Sequence, residues 1–307
     1  MNATHVLLLA CVAWPVAAQP FHPTAITRAE APTISASGSS FMPLLSADRR
    51  YVVFLSSANN VVASHYFAPY LDLYRHDLST GETILISKNA LAPVGLNADS
   101  SAPSISSNGL WIPFATAASD MLPSLELDTN GSDIYLVNAS SLDRSRISVD
   151  TAGNPPLNSI APRSRPLSDN PYISADGRWI AFESFATNLT SHPDANNESD
   201  VFLRDTLASE THLISVAVDA GSTANSKSEL AAITPDGNYV LFTSTATNLV
   251  ANAPTNGSRE IYLRNVGAGT TMWIPHNDPP PYASRWASIS ADARFVLYKL
   301  EPVMNIG

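Results

Sequence analysis

The sequence predicts an all-β chain: a β-propeller of four-stranded antiparallel blades, about five of them. Three observations carry that expectation. One segment recurs along the chain, at residues 44–54 (LLSADRRYVVF), 104–114 (SISSNGLWIPF), 172–182 (YISADGRWIAF), 232–242 (AITPDGNYVLF) and 288–298 (SISADARFVLY). Its turn residues Asp48, Asn108, Asp176, Asp236 and Asp292 lie 60, 68, 60 and 56 residues apart, and self-similarity at such a period is the mark of a repeat architecture. No stretch carries the 3.6-residue apolar period of a helix.

Taken in order, the chain opens with a secretory signal at 1–18. Val6 to Ala13 (VLLLACVA) is a short apolar run, Pro15 breaks it, and Val16, Ala17 and Ala18 form a small-residue cleavage site before Gln19. Cleavage after Ala18 would remove Cys11, the only cysteine, leaving no disulfide, thiolate metal site or cysteine nucleophile. The mature chain, 19–307, then reads as a single propeller domain. Thr27 precedes Asp48 by 21 residues, the spacing of Ser87 from Asn108 and of Ser215 from Asp236. Ala25 to Arg28 therefore sit in the register of a fourth strand and are a candidate to complete the last blade.

Repeats follow at about 41–90, 101–150, 170–218, 230–276 and, in part, 286–307. Each begins with a short strand ending at Ile-Ser or its equivalent. An Asp-Gly-type turn comes next, a strong hairpin signal. The second strand has aromatics at its first and fourth positions: Tyr51 and Phe54, Trp111 and Phe114, Trp179 and Phe182, Tyr239 and Phe242, Phe295 and Tyr298. Side chains alternate along a strand, so these two point to opposite faces. A strand apolar on both faces needs cover on both, which blades stacked about an axis provide. The third strand starts at an acid (Asp72, Asp133, Asp200, Glu260) and ends at Asp77, Asn138, Asp205 or Asn265. The fourth covers 83–87, 145–148, 211–215 and 270–274. The fifth repeat stops after two strands. Either five blades close with an incomplete last blade, or the chain is a truncated piece of a longer propeller.

The string 173–184 (ISADGRWIAFES), followed by 186–189 (ATNL) and 200–205 (DVFLRD), resembles the TolB-like, WD-type propeller repeat of bacterial exported proteins. The resemblance covers about residues 41 to 300. It implies the propeller fold and a periplasmic or secreted location. It implies no particular activity, because function lives in sites placed on folds.

Composition narrows the partners. With 17 basic against 27 acidic residues and a net charge of −10, the chain lacks the phosphate-facing cations that nucleic acid requires, and an anionic membrane surface is disfavoured for the same reason. No segment reaches the roughly 18 apolar residues of a membrane-spanning helix. The expected partner is a protein or glycan ligand, and the chain is expected to act as a monomer.

No catalytic residue stands out. The nucleophile elbow Gly-x-Ser-x-Gly and a phosphate-cradling glycine loop are absent. The histidines (His5, His22, His65, His76, His192, His212, His276) are scattered, and the repeat acids read as turn formers. One polar pattern is more specific. Asp128, Asn130 and Asp133, and likewise Asp194, Asn196 and Asp200, offer carboxylate and amide oxygens from short loops, as a Ca²⁺ site requires. The same residues also form Asx-turns; no other cofactor is expected. The insert Thr151–Asp169, rich in Pro and Arg, is the one local basic cluster and a second candidate binding loop. The sequence thus favours a non-enzymatic binding or scaffolding module using a rim or the central channel. The alternatives are a polysaccharide lyase or hydrolase with an axial site, and a propeller fragment.

Overall fold

The computed structural model describes residues 36–63, 70–92, 94–123, 131–156, 168–194, 196–252, 254, 257–274 and 282–302. Ala25–Arg28, Asp128, Asn130 and most of the insert lie outside them. Four four-stranded antiparallel sheets follow one another along the chain, each with its strands in sequence order. Blade 1 holds β1 (Ser40–Leu45), β2 (Tyr51–Ser56), β3 (Asp72–Asp77) and β4 (Thr83–Leu85). Blade 2 holds β5 (Ser100–Ser101), β6 (Trp111–Thr116), β7 (Asp133–Asn138) and β8 (Arg144–Arg146). Blade 3 holds β9 (Ser168–Ile173), β10 (Trp179–Ser184), β11 (Asp200–Asp205) and β12 (Glu210–Leu213). Blade 4 holds β13 (Ser228–Ile233), β14 (Tyr239–Ser244), β15 (Glu260–Asn265) and β16 (Thr270–Ile274). The described part of blade 5 is the hairpin β17 (Tyr282–Ile289) and β18 (Val296–Pro302).

The turn between first and second strands has one construction in every blade. A hydroxyl two residues before the turn acid donates to it: Ser46 to Asp48, Ser174 to Asp176 and Thr234 to Asp236, at 2.5 to 2.6 Å. That same oxygen accepts from the first amide of the next strand, at Tyr51, Trp111, Trp179, Tyr239 and Phe295. The Ile-Ser ending of the first strand is thus a turn lock.

Packing between blades repeats too. In blades 2, 3 and 4 the turn glycine lies against the aromatic that opens the second strand of the blade before it: Gly109 on Tyr51, Gly177 on Trp111, Gly237 on Trp179. Backbone bonds tie the same turns together, from Asp48 N to Ser107 O, Ser107 N to Ala175 O and Ala175 N to Pro235 O. The fourth-position aromatics point the other way and stack on the third strand of their own blade, with ring centroids 5.6 to 5.8 Å apart for Phe54–Tyr74, Phe182–Phe202 and Phe242–Tyr262. Apolar clusters bridge blades 1 and 2, 2 and 3, 3 and 4, and 4 and 5. The leading face of blade 1 forms a cluster of its own around Phe54 and Tyr74.

The second and third strands fall where the sequence puts them. The first strands do not run straight. They carry bulges, with Met42, Ala102 and Asn170 at positive φ. In blade 2 the expected strand up to Ser106 shrinks to Ser100–Ser101, because Ala102 turns left-handed and Pro103 has no amide for the ladder. Only the first strand of a blade packs broadly against the second and third strands of its predecessor (β9 on β6 and β7, β13 on β10 and β11), so blades converge at their first strands and splay at their fourth. That splay opens clefts along the outer edge.

Candidate functional site

The acids that open the third strands are structural clasps. Ser87, Ser148 and Ser215, at the end of the fourth strand, donate to Asp72, Asp133 and Asp200 at 2.6 to 2.7 Å. Each serine oxygen also accepts the amide that follows the acid, at Leu73, Ile134 and Val201. In blade 4 the indole N–H of Trp273 takes the serine's place, 3.1 Å from Glu260 Oε2. These bonds hold outer strand to third strand across the blade.

Of the calcium candidates, Asp133, Asp194, Asn196 and Asp200 are described. Asp133 faces Arg146, 3.4 Å away, in a buried ion pair. Asp194 accepts the amides of Asn196 and Asn197, and Asn196 accepts that of Glu198, so both residues make Asx-turns. Asp200 is buried, and that burial pushes its carboxyl up to about 8, with the charge of Asp194 adding to the rise. A cation in this loop would have to displace the proton that this burial favours. Millimolar calcium is expected to leave the melting temperature unchanged at pH 7; a rise that Asp194→Ala abolishes would place the cation in this loop.

Near the first strands, Tyr172, Glu229 and Ser288 of three blades line a hollow of about 320 Å³. Its charges are spoken for. Glu229 pairs with Lys227 and Arg259. Beside it, Glu183 accepts from Asn170 Nδ2 at 3.0 Å and from the amide of Leu230 at 2.9 Å, which ties blade 3 to blade 4. Burial raises the Glu183 carboxyl above its ordinary value.

A larger cleft, about 590 Å³, opens at the outer edge between blades 3 and 4. Trp179, Thr211 and His212 enter it from blade 3, Asn238 and Arg264 from blade 4. Trp179 is held by Gly237 behind it and by the Arg178 guanidinium 4.8 Å from its ring centre; His212 lies 6.1 Å from it, tilted. A second hollow of about 290 Å³, along Val216–Val218, Leu249–Ala251 and Gly269–Thr271, shares Val216, Ala220 and Arg264 with the first. The two make one groove. An aromatic ring, imidazole, amide, hydroxyls and a guanidinium beside apolar walls are the usual furniture of a small-ligand site of this size.

The sequence does not mark these residues as a site, since Trp179 reads there as a blade aromatic. One signal was present. Blades 1 and 3 pair a turn arginine with the acid ending the third strand (Arg50–Asp77 at 2.8 Å, Arg178–Asp205 at 2.6 Å), whereas blade 4 has Asn238 and Asn265 at those two places.

No family model matches the chain, and no curated protein does. Among solved structures it is similar to TolB from Acinetobacter baumannii (16% identity, TM-score 0.46, 86% of this chain and 49% of that one). It is also similar to a putative TolB from Agrobacterium tumefaciens (17%, TM-score 0.35, 88% and 93%) and to an oligogalacturonate lyase in complex with manganese (13%, TM-score 0.49, 86% and 63%). The chain spans about half the length of the first of these. Likeness at this level carries no function across.

Proposed function

We propose that the chain is an exported, non-enzymatic binding module that holds a glycan or protein ligand in the groove between blades 3 and 4. The observation that carries the reading is the groove itself: the side chains of Trp179, His212 and Arg264 line it without taking part in the blade clasps and turn locks that recur elsewhere, although Asn238 bonds the turn acid Asp236 and Thr211 accepts from Arg204. Export rests on the segment 1–18, with cleavage after Ala18 and a periplasmic or secreted destination. N-terminal sequencing of the secreted chain, expected to begin at Gln19, tests that part.

His212→Ala tests the groove. It removes a lining ring and leaves the packing of Gly237 on Trp179 in place. Against a panel of soluble oligosaccharides and peptides, the variant is expected to bind whatever the parent binds about tenfold more weakly, the loss of roughly one good contact. Unchanged affinity would move the site elsewhere.

The hollow near the first strands supports a second reading, a polysaccharide lyase or hydrolase, because Glu183 beside it has the raised pKa of a general acid. Its hydrogen bonds to Asn170 and Leu230, and the double ion pairing of Glu229, weigh towards a structural tie. Turnover of a polysaccharide that Glu183→Gln abolishes, without loss of fold, would reverse that judgement.

A further inference from the structure

We propose that the groove between blades 3 and 4 selects acidic saccharides, with a ligand carboxylate seated on the Arg264 guanidinium and a sugar ring beside Trp179. The inference rests on the groove being the binding site and goes on to name the ligand's chemistry.

The charge pattern points there first. The chain carries a net charge of −10, yet among the described residues no Asp or Glu lines either hollow of the groove. Arg264 lines both. Its guanidinium makes one hydrogen bond, to Thr271 Oγ1 at 3.0 Å, and no ion pair among the described residues. Several other arginines have spent their charge or their donors. Arg50 and Arg178 are paired with Asp77 and Asp205, and Arg259 with Glu229. Arg75 donates to the carbonyl of Gly109, and Arg144 to the carbonyl of Lys88.

Arg204 occupies the place of Arg264 on blade 3 and bonds Thr211 in the same way, at 2.9 Å. Burial lowers the Arg204 pKa too, but there the charges of Asp205 and Glu210 act against it. At Arg264 burial acts alone and lowers the pKa, with no carboxylate to offset it. The reason is visible in the sequence. Asn265 replaces the acid that follows Arg204, and Asn238 replaces the arginine that would have paired with it. The nearest turn acid, Asp236, is taken up by Thr234 and by both the amide and side chain of Asn238. A partly buried guanidinium with no counter-charge is costly, and an anionic ligand removes that cost. A carboxylate suits the planar fork of arginine best.

The rest of the groove suits a sugar. Trp179 offers a ring that is held from behind, while Thr211, His212 and Asn238 offer hydrogen-bonding groups at its edges. A ring platform with several hydroxyl and amide partners matches a polyhydroxylated ring better than an aliphatic peptide side chain.

The test uses the mature chain and two probes that differ only in charge: cellotetraose and the matching tetramer of β-1,4-linked glucuronate. By calorimetry at low salt, the parent is expected to bind the acidic tetramer about 10- to 100-fold more tightly, the worth of a charge-assisted hydrogen bond. Arg264→Gln should erase that preference, so that the two tetramers bind alike. Arg264→Lys should keep part of it, and Arg204→Gln should change nothing. A melting curve on each variant confirms that it is folded. Equal affinity of the parent for both probes, with His212→Ala weakening both, would overturn the charge selection and keep the groove. Binding that survives both His212→Ala and Arg264→Gln, or no binding of either tetramer, would overturn groove and ligand together. Tetraglutamate bound as tightly as the glucuronate tetramer would overturn the saccharide assignment.

Discussion

Gly237→Val is expected to cost about 2–5 kcal/mol, a large share of the roughly 5–15 kcal/mol margin of a domain of ordinary stability. Two effects add. Gly237 has φ +75°, a conformation that a β-branched residue enters only with strain. A Cβ placed there would also lie 2.3 Å from Trp179 Cδ1 and 2.5 Å from its Cγ. The backbones cannot move apart, since Gly237 is bonded into the turn through Thr234 and Trp179 opens a central strand, so relief requires the Trp179 ring to turn away and give up its seat on the turn. Gly81→Val is the control. Gly81 has nearly the same φ, +78°, but nothing lies within 4 Å of where its Cβ would be. It should lose only the conformational part, about 1–2 kcal/mol. Urea unfolding of both variants measures the difference. A Trp179→Ala background should shrink the cost of Gly237→Val, because the clash is then gone. Equal midpoints for Gly237→Val and Gly81→Val would show that the turn glycine is a conformational device only, and that blades do not seat on one another through it.

That glycine also shows how far the sequence could be read. The Asp-Gly turn and the aromatic after it were legible as a hairpin within one blade. Their meeting across two blades was not, because nothing local records which turn meets which ring. The ends of the third strands were legible to the residue, since an acid opens each and Asp or Asn closes it. The clasp was recoverable as well: Ser87, Ser148 and Ser215 each stand 15 residues after their acid. The bulges at Met42, Ala102 and Asn170 were hidden, because one extra residue leaves composition unchanged and only shifts the alternation of faces. The groove was the least legible feature. It exists because blades splay outward, a property of their stacking, and its one trace in the sequence is a pair of asparagines where other blades have an ion pair.

Asp200→Asn is expected to stabilise the chain at pH 8 and to flatten the fall in stability between about pH 4 and pH 8. The side chain is 2% exposed, and the carboxyl is pushed up to about 8 against an ordinary 3.8, first by burial and then by the charge of Asp194, with the Ser215 and Thr223 hydroxyls acting the other way. Between those two values the folded chain holds a proton that the unfolded chain has released. Unfolding then gives up a proton, so stability declines as pH rises through the window and levels off above about 8. At roughly 1.4 kcal/mol per unit of pH, the whole window is worth a few kcal/mol. An asparagine keeps an oxygen for Ser215 to bond and has no charge to bury. Asp205 behaves oppositely: Arg178, 2.6 Å away, holds its carboxyl at about 2, so the stability it contributes is present above pH 4 and lost only as the pH falls through 2. The two windows do not overlap, and urea midpoints measured from pH 4 to pH 9 isolate Asp200. If the decline between pH 4 and pH 8 is as steep in Asp200→Asn as in the parent, the buried proton is not there, and the clasp between Asp200 and Ser215 must be an ionised one.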